Sequence, residues 1–262
     1  MTKSPLKTWL ERDGQVLRLK LARPNANIID AEMIDALSAT LDAHVTDPRM
    51  MAVVIDAEGP NFSFGASVEE HLPEQCTEML RKLNTMITQM IEYPVPIIAA
   101  LHGQCLGGGL EVACAASLII AAPDARLGQP EISLAVFAPA ASCLLPERIG
   151  QSQAEMLLLS CRSVDAEKAS QIGLVDQIGD EPVQRALAWI DANIIDKSAS
   201  SLRIAVTAAR HDYIARVMEK LQAVEAMYLD ELMKTNDAVE GLNAFLEKRK
   251  PVWENTVTGA DR

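Results

Sequence analysis

The chain has 262 residues, 49% apolar and 23% charged, enough to bury a core as one large domain or as a domain with a smaller appendage. A net charge of −12 excludes nonspecific nucleic-acid binding by the whole surface, so an anionic ligand needs clustered basic groups or backbone N–H groups. The five cysteines (76, 105, 114, 143 and 161) are odd in number and lack CxxC spacing, the start has no apolar signal region, and no apolar run would span a membrane; a cytoplasmic protein with free thiols and no metal site is expected.

In chain order, Leu17, Leu19 and Leu21 alternate with Arg18 and Lys20 between two turn-forming pairs, which predicts a strand. Asp30 offers an N-cap for a helix to about Ala43, with Met33, Ile34, Leu37 and Leu41 on one face. Residues 51–56 read as a buried parallel strand, residues 73–93 as a helix and residues 94–101 as a second buried strand with its prolines at the start. The apolar run over residues 110–122 reads as one helix buried on all sides. Beyond about Val183 only helices are expected, including 223–235 and 238–250. The prediction is an α/β chain with a core over residues 1–190 and a helical region over 191–262.

Three segments suggest chemistry. In His102-Gly-Gln-Cys-Leu-Gly-Gly-Gly-Leu-Glu111, three glycines stand between a strand and a helix. Helix-start N–H groups there suit a phosphate or a developing oxyanion, although a tight packed turn reads equally well. Glu111 follows in an apolar helix, where desolvation raises a carboxyl pKa and the helix dipole opposes it. Glu131 sits just after Gly128 and Pro130, at a defined turn. Alone it reads as a surface glutamate; together, two carboxylates in different settings can divide acid and base roles. Gly65-Ala66 offers a further small-residue N–H. His71 and His102 lack partners at metal-ligand spacing and read as packed or loop histidines, and Cys105 and Cys143 as buried thiols.

The order and spacing of Leu21-Ala-Arg-Pro24, residues 62–66, residues 102–111, Gly128-Gln-Pro-Glu131, Gly173-Leu-Val-Asp176 and Ala244-Phe-Leu-Glu-Lys-Arg249 resemble the crotonase (enoyl-CoA hydratase/isomerase) superfamily. That resemblance implies a crotonase-like ββα spiral core with a C-terminal helical trimerisation region, assembled as a homotrimer or homohexamer. It implies Glu111 and Glu131 as catalytic residues and the N–H groups of Ala66 and Gly108 as the oxyanion hole. It places Arg23, Ala26, Phe64, Gly65, Ser67, Val68, Leu106, Gly107, Pro130, Phe137, Phe245 and Lys248 around an acyl-CoA thioester, with no metal or other cofactor and no nucleic-acid or membrane partner.

Two segments depart from the common hydratase pattern: Gly65-Ala66-Ser67 in place of Gly-Ala-Asp, and a bulkier stretch over residues 137–146. Both resemble the cyclohexa-1,5-diene-1-carbonyl-CoA hydratases of anaerobic benzoyl-CoA degradation. A straight-chain enoyl-CoA hydratase, a double-bond isomerase and a non-catalytic assembly protein on the same scaffold are the competing expectations.

Overall fold

The computed structural model describes residues 4–256. Its strands in chain order are β1 (Leu6–Glu11), β2 (Val16–Leu21), β3 (Ala52–Ala57), β4 (Ile97–Leu101), β5 (Gln104–Leu106), β6 (Leu118–Ala121), β7 (Arg126–Gly128), β8 (Val164–Asp165) and β9 (Gln177–Ile178). The helices are α1 (Ala31–His44), α2 (Cys76–Glu92), α3 (Gly108–Cys114), α4 (Pro139–Ile149), α5 (Gln151–Ser160), α6 (Ala166–Gln171), α7 (Pro182–Asn193), α8 (Ala199–Asp230) and α9 (Asn236–Leu246). The larger sheet runs β1-β2-β3-β4-β6-β9, with the β1–β2 pair antiparallel and the rest parallel. The smaller runs β5-β7-β8.

The central parallel strands β3, β4 and β6 are covered on both faces and are mostly apolar runs, as buried parallel strands require. Leu17, Leu19, Val53, Ile55, Ile97 and Ala99 point into the main core with α1 and α2. Val16, Val54, Ile98, Ala100 and Ile120 point the other way, against Leu187 and Ile190 of α7. Arg18 is buried on that second side, held by Glu11 at 2.7 Å and Asp56 at 2.9 Å. The cap of α1 is as expected: the Asp30 carboxylate accepts from the Met33 N–H.

Residues 110–122 do not form one helix. α3 ends at Cys114, and Leu118–Ala121 becomes β6, paired with β4. Ser117 marks the break: its hydroxyl accepts from the Ile97 N–H at 3.1 Å, and its own N–H donates to the Ile97 carbonyl at 2.8 Å. A serine bonding to a neighbouring strand competes with helix continuation, and the β-branched Ile119-Ile120 suits the sheet. The C-terminal helices also differ from expectation. α8 runs for 32 residues and ends at Asp230, while Thr235 caps α9 by accepting from the Ala238 N–H at 3.2 Å.

α8 packs across α2 and α4, and its Val217, Leu221, Val224 and Tyr228 sit in the same apolar cluster as the sheet. Among the described residues, no helix is long and apolar enough to cross a membrane.

Candidate active site

Three chain segments run in the same direction and end at one place. Ser63 bridges Cys105 of β5 in parallel, and β5 pairs in parallel with β7 through Cys105 and Leu127. The first segment leads into Gly65-Ala66, the second into the glycines and α3, and the third into Gln129-Pro130-Glu131. The β-strand register thus delivers both glutamates and both small-residue loops to one end of the smaller sheet.

The two loops meet. A Cβ built on Gly108 would lie 2.9 Å from the Ala66 nitrogen, so the two amides are side by side. Among the described residues, neither N–H donates to a protein acceptor. Paired free amides of this kind stabilise charge that develops on a carbonyl oxygen. Gly107 has φ of +49°, and a Cβ there would lie 2.5 Å from Glu131 Oε1. Only glycine combines that backbone with so close an approach by the carboxylate.

Glu111, in the first turn of α3, is 3% exposed. Its Oε1 accepts from the Ala141 N–H, in the first turn of α4, at 2.9 Å. Burial pushes the carboxyl up to about 7 although that hydrogen bond favours the ionised form. Glu131 opens the short 3-10 helix Glu131–Leu134. Burial, reinforced by the charge of Glu111, pushes it up to about 8. Gln129 is buried beside it, and with its amide nitrogen turned to the carboxylate it donates to both oxygens, at 3.0 and 2.9 Å.

Ala66, Gly107, Gly108 and both glutamates line one cavity of about 500 Å³. Of the residues expected around an acyl-CoA thioester, Phe64, Gly65, Ser67, Val68, Leu106, Gly107, Pro130, Phe137 and Phe245 lie on its wall with Ala66, Gly108, Glu111 and Glu131. Arg23, Ala26 and Lys248 do not. Arg23 is tied to the α1 cap residue Asp30, and Lys248 lies beyond the end of α9. A larger cavity of about 620 Å³, between α2 and α8, holds neither the paired amides nor the two glutamates.

The segment over residues 137–146 divides in two: Phe137, Ala138 and Pro139 face the cavity, while Cys143, Leu144 and Leu145 are buried in the core. Cys105 is buried too. His102 binds the Gly59 carbonyl at 2.8 Å, a loop role as expected. His71 is different, because it lines the cavity. Sequence reasoning also missed Gln129, whose signal was its place two residues before Glu131. Leu80, Leu83 and Leu242 had no signal, since distant helices bring them to the wall.

The enoyl-CoA hydratase/isomerase family matches residues 11–256. The chain is 60% identical over 252 residues to a cyclohexa-1,5-dienecarbonyl-CoA hydratase from Thauera aromatica, covering 96% of this chain and 98% of that protein. It is 35% identical over 251 residues to a probable enoyl-CoA hydratase from Bacillus subtilis, covering 92% and 96%. A crystal structure of an enoyl-CoA hydratase/isomerase from Pseudoalteromonas atlantica T6c superposes with a TM-score of 0.83 at 26% identity, covering 95% of this chain and 99% of that one.

Proposed function

The chain belongs to the enoyl-CoA hydratase/isomerase family, and from that premise we propose that it hydrates cyclohexa-1,5-diene-1-carbonyl-CoA through Glu111 and Glu131. The observation that carries the reading is one buried and one half-buried carboxyl, both raised toward neutrality, on the wall of the cavity that also holds the paired amides of Ala66 and Gly108. Near neutral pH such a pair shares a proton, so one carboxylate is a base while the other carboxyl is an acid.

The chemistry follows from the positions of the double bonds. Carbon 1 carries the thioester, with double bonds 1=2 and 5=6. The amides polarise the thioester carbonyl; one carboxylate takes a proton from water, and the water oxygen bonds to carbon 2. The electron pair of the 1=2 bond moves onto the thioester oxygen, giving a dienolate that extends to carbon 5. Protonation at carbon 5 by the other carboxyl leaves a 1=6 double bond and restores the carbonyl. In its own numbering the product is a 6-hydroxycyclohex-1-ene-1-carbonyl thioester. The thioester takes up the electrons, so this scheme calls on no metal or redox group.

The apolar chamber walls, with Phe64 and Phe137 among them, suit a ring. Assembly into trimers or hexamers belongs to the same reading, supported by exposed apolar side chains on α5 (Met156, Leu159) and α8 (Ile204, Met227). The test is steady-state turnover by the purified protein. We expect kcat/KM for the cyclic dienoyl thioester at least tenfold above that for crotonyl-CoA; the reverse order would assign it to straight-chain hydration.

A further inference from the structure

Among the polar side chains on the cavity wall that have no part in the hydration scheme is an imidazole, that of His71. His71 closes the short 3-10 helix Glu69–His71, and its Nδ1 lies 2.6 Å from the Ser67 carbonyl oxygen. A carbonyl only accepts, so Nδ1 carries the proton. Burial lowers the imidazole pKa, which leaves the ring neutral and Nε2 an unprotonated acceptor. Among the described residues, the His71 ring makes no other hydrogen bond.

The surroundings on this side are apolar or unsatisfied. Leu80, Leu83 and Phe137 share the wall. Tyr228 of α8 stands 6.5 Å from the His71 ring and 5.2 Å from the Phe137 ring, centroid to centroid, and its buried hydroxyl has no partner. An acceptor left unpaired among apolar walls is unfavourable unless its ligand brings a donor. The cyclic diene has no hydrogen-bond donor on its ring. Its hydrated product has one, the new secondary hydroxyl.

We propose that His71 is a specificity-determining residue of the acyl chamber, its Nε2 accepting a hydrogen bond from the hydroxyl of the hydrated ring. The chamber thereby distinguishes a ring alcohol from a hydroxyl-free acyl group. This assignment rests on the substrate reading above. Alternatively, the same acceptor would hold an ordered water whatever acyl group is bound, and the two cases separate experimentally.

The test uses the full chain with Glu111→Gln to stop turnover. Titration calorimetry then compares the 6-hydroxycyclohex-1-ene-1-carbonyl thioester with the unreactive benzoyl thioester, which has no hydroxyl. Adding His71→Phe, or the smaller His71→Leu, should weaken the alcohol about tenfold and the benzoyl thioester less than twofold. His71→Gln, which keeps an acceptor, should restore alcohol binding to within about threefold. Equal weakening of both ligands, as for a packing residue or a water holder, would overturn the assignment, as would no loss for the alcohol. If the wild-type protein hydrates no cyclic diene, the substrate reading fails instead; an active enzyme in which the His71 substitutions do not selectively weaken the alcohol counts against His71 alone.

Discussion

At Glu111 two influences oppose each other, and magnitude decides between them. The Ala141 N–H favours the carboxylate, yet burial wins and the pKa rises from 4.5 to about 7. A folded-state value above the unfolded one means that the native protein binds the proton more tightly. The stability contributed is therefore fully present below about pH 4.5 and is lost as pH rises toward 7. The shift corresponds to about 3 kcal/mol as an upper figure. Glu111→Gln removes the buried charge while its amide oxygen can still accept from Ala141. Its melting temperature should match wild type near pH 4.5 and exceed it by several degrees above pH 7, with kcat lower by about 10²–10⁴-fold. Melting curves and initial rates across that range check both; a stability difference independent of pH would show that Glu111 is not held as described. The sequence made this carboxyl legible because an apolar helix follows it. Glu131 was less so: only its neighbours Gly128 and Pro130 marked it, and its proximity to Gly107 is a tertiary fact.

Among the elements, α9 holds the turn that begins at Glu131. Gly241 lets it approach: a Cβ there would lie 2.2 Å from the Leu134 carbonyl oxygen. Leu242 and Phe245 of the same helix line the cavity. Gly241→Ala should push α9 off the turn, destabilise the fold by about 1–3 kcal/mol and raise KM severalfold. Thermal melts and steady-state kinetics check this, and an unchanged KM would show that α9 does not set the cavity wall. Strands and amphipathic helices with clear periodicity were legible, as in α1 and α2, where Met33, Leu37, Met79 and Leu83 are buried as their spacing requires. The run over residues 110–122 was not, because an apolar stretch buried on all sides has no period to separate helix from strand. What separates them is the bonding of Ser117 to Ile97, a residue far away in sequence.

For the whole molecule, the proposed scheme has a chain of net charge −12 handle an anionic substrate in part through neutral backbone donors, set side by side by three parallel segments. The order of the glycine loop, the two glutamates and the small-residue loop could be read from sequence, and the family followed from that order. His71 and Tyr228 could not, since α8 must fold back across α2 before the two rings face one another. Both carboxyls and both amides line a single chamber, so the scheme makes a definite claim about where water's atoms go. Hydrating the cyclic dienoyl thioester in D2O and locating the label by NMR tests it most directly. The expected product is 6-hydroxycyclohex-1-ene-1-carbonyl-CoA with one deuterium on carbon 3, the former carbon 5 of the diene. Deuterium on the carbon that bears the thioester, or no hydration of the diene at all, would contradict it.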